Sequence, residues 1–372
     1  MATGITLNDA IDEYLQHRRA NRFAENTIRA NQRALKLLLA EVGNIQMRHF
    51  DAQHGSRFRA FLTGKGYAPN SVNAHLNGVS AFAKWAHVRG HLPKGNNPMA
   101  LVKRDRPDPE PRQIVHPRDF ARLLDAAHHT RLDPLTGTMV DVGTPHDRIV
   151  VALGLYLFLR QSEIMSLRIK DIDLDRGEVF VRVHKSKVKD VMPISKRLAV
   201  ELRRWLTWYA NDARDAHGAL SPDWYLVPRR KAPILEHSFG YKGAHANWRE
   251  TGNCVPMLPN GGMHRNVQRA LVRFGMPIRG ADGVSMKEGV HTLRRSGARA
   301  VFDRLTESKA YDGALRQVAA MLHHRSTATT ERYLQISVDV KVRNDLFRNE
   351  DMFGEDEFDK VTPIRVADTG NN

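Results

Sequence analysis

Along the first hundred residues, apolar positions recur at intervals of three and four, the spacing of one face of an α-helix. Leu7, Ala10, Ile11, Tyr14 and Leu15 form the first such face, and Thr6 or Asn8 is placed to cap it. Ile28, Leu35, Leu38 and Leu39 predict a second helix over 26–42, and a third follows over 50–62. A fourth opens at Asn70-Ser71, which supply capping side chains, carries Val72, Leu76, Val79, Phe82 and Trp85 inward, and ends near Gly90. No stretch of this region alternates as a strand does. It reads as a compact helical module over 1–103.

The pattern then breaks. Over 104–113 the chain carries Pro107, Pro109 and Pro111 among charged residues; each proline restricts its predecessor to extended geometry, so this is a short, semi-stiff linker. Helical spacing returns over 117–127 and 147–159. The period then changes to two: Ile172 and Leu174 precede the turn Asp175-Arg176-Gly177, and Val179, Val181 and Val183 alternate with Phe180, Arg182 and His184. After a lysine-rich turn, Val191 and Ile194 predict a third short strand. Helical spacing resumes over 198–208. Residues 229–290 are rich in Gly, Pro and Asn and read as a long, loop-rich insertion. From Thr292 to about Phe347 helices resume.

Composition and charge narrow the class. The 372 residues are 41% hydrophobic and 26% charged, globular rather than disordered. Lys plus Arg number 57 against 41 Asp plus Glu, a formal charge of +16. Residues 1–103 alone hold 14 basic and 6 acidic residues, whereas 350–359 holds six acidic residues and no basic one, the start of an acidic tail over 350–372. A regional surplus of this size points to a polyanion, and nucleic acid leads. A single cysteine, Cys254, excludes an intrachain disulfide and fits a reducing, cytoplasmic setting. Neither a secretory leader nor an apolar run of membrane-spanning length is present, so no membrane role is expected. His237, His245, Cys254 and His264 match no common ligand spacing, so no metal is expected.

Candidate chemistry lies in order and spacing. Arg160-Gln161-Ser162-Glu163 follows an apolar helix and opens the next. His291-Thr292-Leu293-Arg294 opens a helix further on. Leu322-His323-His324-Arg325-Ser326 leads into Thr329-Thr330-Glu331-Arg332-Tyr333, and Lys185 sits in the hairpin turn between the first two groups. Taken singly, each residue has an ordinary reading: Tyr333 as a packed aromatic, Arg160 as a surface charge, His291 as a cap. Lys187 and Lys189 share the turn with Lys185.

Together these groups resemble the tyrosine recombinase (phage integrase) family, whose first box has the form Leu-Arg-x-x-Glu-x-x-x-Leu and matches Leu159 to Leu167. Its second box supplies His-x-Leu-Arg, at His291 to Arg294, then Leu-Gly-His and Thr-Thr-x-x-Tyr, at Leu322, His324, Thr329, Thr330 and Tyr333. Two positions depart from the pattern: His323 replaces the usual Gly, and Arg295 a frequent His. The resemblance implies a mostly α fold, with an N-terminal helical core-binding (SAM-like) domain and a mixed α/β catalytic domain over 114–349 containing a small antiparallel sheet. It implies catalytic roles for Arg160, Lys185, His291, Arg294, His324 and Tyr333, with Glu163 supporting, and no cofactor. It also implies double-stranded DNA with a specific core site as substrate, a homotetramer on synapsed sites, a Holliday junction intermediate, and accessory directionality or bending proteins. The helical module starts almost at Met1, which leaves no room for a preceding arm-binding domain and favours a simple recombinase. A type IB-like topoisomerase and a catalytically silent DNA-binding protein are the alternatives.

Overall fold

The computed structural model describes residues 4–105, 112–183, 188–217, 220–228, 263–278 and 288–336. The chain divides into two compact units, Met1–Glu110 and Pro111–Asn372.

The first unit is all helical: α1 (Leu7–Ala20), α2 (Glu25–Val42), α3 (Ala52–Gly64) and α4 (Pro69–Val88). Their apolar faces enclose a core of Leu7, Tyr14, Leu35, Leu38, Phe58, Leu76 and Phe82. The buried polar side chain in this core is satisfied: Asn31 donates to the Tyr14 hydroxyl at 3.0 Å, and Arg18 donates to the same oxygen at 2.8 Å. Thr6 caps α1, accepting from the Asp9 amide. Asn70 and Ser71 do not cap α4. The helix starts one residue earlier, at Pro69, whose fixed φ and missing N–H suit the first helical position, and Ala68 precedes it without a side-chain bond. Arg104 and Asp105, at the start of the proline-rich stretch, belong to this unit's surface: Arg104 donates to Ser80 at 2.6 Å and Arg59 pairs with Asp105.

The second unit is mixed. After α5 (Phe120–Ala127) come β1 (His128–Leu132) and β2 (Met139–Gly143), an antiparallel ribbon joined through Asp133 to Thr138. Its alternation is masked because most of its side chains are exposed, so no apolar period marks it; the Asp-Pro and Gly137 turn residues are the available signal. Next come α6 (Pro145–Tyr156) and α7 (Gln161–Ser166), then a three-stranded antiparallel sheet in the order β3 (Ile172–Asp173), β4 (Glu178–Val183), β5 (Val188–Pro193). Val179 faces Met192 and Val181 faces Asp190 across the ladder. The third strand begins at Val188, earlier than its apolar residues suggest. Helix α8 (Lys196–His217) follows.

Part of the segment read as loop is regular. α9 (His264–Phe274) buries Val267, Ala270 and Leu271 against the core, and Gly275 ends it in a left-handed conformation. The rest of 229–262 lies outside the described residues. The unit closes with α10 (Val290–Thr306), α11 (Tyr311–Met321) and α12 (Thr327–Leu334). The helix expected towards Phe347 and the acidic tail also lie outside them.

Two helices fix the site's geometry. α6 and α10 cross so closely that glycines are required on both: a Cβ on Gly154 would meet Leu293 at 2.8 Å, and one on Gly297 would meet the Leu155 carbonyl at 1.9 Å. α6 stops at Tyr156 rather than running to Leu159. Phe158 turns left-handed, with φ 52°, and delivers Arg160 to the start of α7. Gly297→Ala is therefore expected to destabilise the protein by about 1–3 kcal/mol, the usual cost of overpacking against backbone. Gly313→Ala, where a Cβ meets nothing within 4 Å, should leave the melting temperature unchanged or raised. Thermal melting of both variants checks this.

Candidate active site

The site is assembled on helix ends, with its arginines at helix starts. Arg160 stands just before α7, His291 and Arg294 lie in the first turns of α10, His324 follows α11, and Tyr333 sits near the end of α12. Helix beginnings leave amides without intrahelical partners and carry partial positive charge, which suits an anion.

Glu163 organises the arginines. Its carboxylate, 2% exposed, accepts from the Arg160 amide at 2.8 Å and from Arg160 Nη1 at 2.7 Å, and lies 3.6 Å from Arg294 Nη1. The first contact is the third helical residue reaching back to the cap position, so one side chain both starts α7 and holds two cations. Two guanidinium groups share one carboxylate, which leaves the cluster net positive.

Arg294 is 2% exposed. It donates to the carbonyls of Phe158 and Leu322, the latter at 2.7 Å, and Arg160 Nη2 donates to the same Leu322 oxygen at 3.1 Å. Burial, together with the neighbouring Arg160, brings the Arg294 guanidinium down to about 10, so it remains a cation at neutral pH.

Tyr333 is half-buried. Its hydroxyl donates to the main-chain carbonyl of His291 at 3.2 Å, and its ring meets the His324 ring edge to face, with centroids 5.4 Å apart. Burial pushes the phenol up to about 12, against the pull of Arg294, Arg295 and Arg160. His324 is tied through Nδ1 to the Thr330 hydroxyl at 3.0 Å. Burial pushes it down to about 4, and the nearby Arg294 and Arg160 cations act the same way.

The structure thus brings Arg160, Glu163, Arg294, His324 and Tyr333 together, with the His291 backbone touching Tyr333 and its side chain exposed at the start of α10. Lys185 lies outside the described residues. Arg295, noted above only as a departure from the pattern, is a buried member of the surroundings: it donates to the Gln113 carbonyl at 2.8 Å and pairs with Glu288 at 3.1 Å, and Thr292 donates to the same Glu288 carboxylate. Thr330, which orients His324, has no signature of its own beyond the Thr-Thr pair. Among the described residues, no cluster of His, Cys, Asp and Glu could hold a metal ion, and no helix is long and apolar enough to cross a membrane.

The family model for the phage integrase family matches residues 119–339, more than half of the chain. The chain belongs to that family, the tyrosine recombinases. Among curated relatives, the tyrosine recombinase XerA of Thermococcus kodakarensis is 28% identical over 250 residues, covering 62% of this chain and 80% of its own. Among solved structures, the Tn1549 transposon integrase in complex with transposon right end DNA superposes with a TM-score of 0.62 at 12% identity, covering 93% of this chain and 99% of that one. A lambda integrase tetramer bound to a Holliday junction gives 0.56 at 16% identity, covering 87% and 79%. These likenesses support the mostly helical fold of the recombinase, with small antiparallel sheets in its second unit.

The depressed His324 has a measurable consequence. An unfolded chain protonates this imidazole near 6.5, whereas the folded one resists until about 4. The unfolded state therefore binds more protons in this window, and His324 lowers the stability of the recombinase as pH falls from 6.5 towards 4. His324→Gln should flatten that part of the pH–stability profile, measured by denaturant unfolding at a series of pH values. An unchanged slope would contradict the assignment.

Proposed function

We propose that this recombinase cuts and rejoins DNA strands at a specific site through a covalent 3′-phosphotyrosyl link to Tyr333. The observation that carries this reading is the convergence of two guanidinium groups, Arg160 and Arg294, on one oxygen, that of Leu322, beside the Tyr333–His324 ring pair. A scissile phosphate with two non-bridging oxygens needs this donor set, and planar guanidinium forks match its geometry.

In the step proposed, the Tyr333 oxygen bonds to phosphorus and the bond from phosphorus to the 5′ oxygen breaks. The phenol proton passes to His291, and Lys185 supplies a proton to the departing oxygen. Arg160 and Arg294 neutralise charge developing on the phosphoryl group, and His324 hydrogen-bonds a non-bridging oxygen. A phenol held near 12 is protonated at neutral pH, so a base at the start of α10 has a defined task. A neutral His324 can donate through the ring nitrogen not engaged by Thr330. Glu163 orients both arginines and stays out of the chemistry. The phosphotyrosyl bond conserves the energy of the broken linkage, so rejoining calls for no nucleotide cofactor.

The basic, helical first unit would hold the duplex together with the catalytic unit. Exchange of both strand pairs through a Holliday junction requires four protomers on two sites, the assembly in which the lambda integrase neighbour is seen. Accessory directionality or bending proteins, a cytoplasmic location and the domain roles over 1–103 and 114–349 belong to the same reading. A relaxing topoisomerase would share the chemistry without synapsis.

Tyr333→Phe removes only the nucleophilic oxygen. On a nicked substrate carrying the cognate site, the variant should bind DNA as the wild type does and form no covalent protein–DNA adduct on a denaturing gel. An adduct of wild-type yield would show that another residue attacks.

A further inference from the structure

His323 occupies the position at which the family pattern has glycine, and it shows why glycine is usual: its φ is +52°, in the left-handed region that a side chain strains to adopt. A residue retained in such a conformation is expected to return something through its side chain. The imidazole Nε2 of His323 lies 3.4 Å from the Asp190 carboxylate, and both side chains are only partly exposed. Asp190 belongs to β5, on the same face of that strand as the buried Met192, so its carboxylate turns towards the body of the unit, whereas Val191 between them faces outward. The pair therefore joins the sheet hairpin to the turn that presents His324.

We propose that His323 and Asp190 form a latch that positions the β4–β5 hairpin against the active-site turn, and so aligns the hairpin's proton donor with the leaving 5′ oxygen. The proposal rests on the reading of a hairpin lysine, Lys185, as the general acid. Neither latch residue touches the phosphate; both are positioning residues. The strain at His323 is then the cost of a contact that glycine cannot make.

The test is the rate of covalent adduct formation by the full chain on a nicked cognate site, with either an ordinary 5′-oxygen or a 5′-thio leaving group, which needs no proton. Asp190→Ala should slow cleavage of the oxygen substrate roughly 10–100-fold, as loosened positioning does. It should cleave the thio substrate at nearly the wild-type rate and bind DNA unchanged in a gel shift. His323→Gly should show the same selective loss while melting at a higher temperature than the wild type, because it relieves the backbone strain. A purely structural role would instead slow both substrates equally, or leave activity intact in the more stable glycine variant. Either result overturns the latch. Lys185→Ala, assayed beside them, separates the two readings: thio rescue of Lys185→Ala with no selective oxygen loss in Asp190→Ala overturns the latch alone, whereas no thio rescue of Lys185→Ala overturns the acid assignment and, with it, the latch.

Discussion

One buried carboxylate holds the proposed active centre together. Glu163 begins α7 by accepting the Arg160 amide, fixes the Arg160 guanidinium through its other oxygen, and stands beside the Arg294 guanidinium deep in the unit. Without it, two like charges would face each other across a low-dielectric interior, where repulsion is large. With it, they converge on the Leu322 carbonyl and leave a net positive cluster for an anion. An ion pair of this kind contributes little to stability against an apolar alternative; its use lies in geometry.

That geometry depends on the crossing of α6 and α10. Gly154 and Gly297 let the helices approach until Leu293 and the Leu155 carbonyl occupy the space a Cβ would take. The close approach puts Arg294, on α10, within reach of the Phe158 carbonyl at the left-handed turn beyond α6. The satellite core of Phe302, Leu315, Val318, Leu322 and Leu334 then packs α11 and α12 against the same helix, which brings His324 and Tyr333 to the site. Charge placement and apolar packing are therefore set by the same few contacts.

Much of this was readable in the residues. The three- and four-residue spacing of Leu7 to Leu15 and of Ile28 to Leu39 is the local signature of amphipathic helices, and the alternation of Val179 and Val181 with Phe180 marks a half-buried strand. Arg160, Glu163, Arg294, His324 and Tyr333 were recognisable because their order and local spacing resemble the boxes of the tyrosine recombinase family, and the fold gathers them. Other features had no local signal. The ribbon of β1 and β2 is exposed on most of its side chains and so lacks a period, and α9 is embedded in a Gly- and Pro-rich stretch. The start of α4 was set by Pro69 rather than by the more familiar caps beside it. The buried Arg295–Glu288 pair and the contact between His323 and Asp190 join distant parts of the chain, which no local pattern can display.

If Glu163 creates the proposed phosphate site by holding two arginines, Glu163→Gln should disable it, because the side chain keeps its size and loses its charge. The measurement is the rate of covalent adduct formation on a nicked cognate site, alongside a gel shift and thermal melting. The variant should be a folded protein that binds DNA nearly as well as the wild type but forms the adduct at least about tenfold more slowly, since misplaced clamping groups act on the reacting phosphate rather than on the duplex. An adduct rate equal to that of the wild type would contradict it.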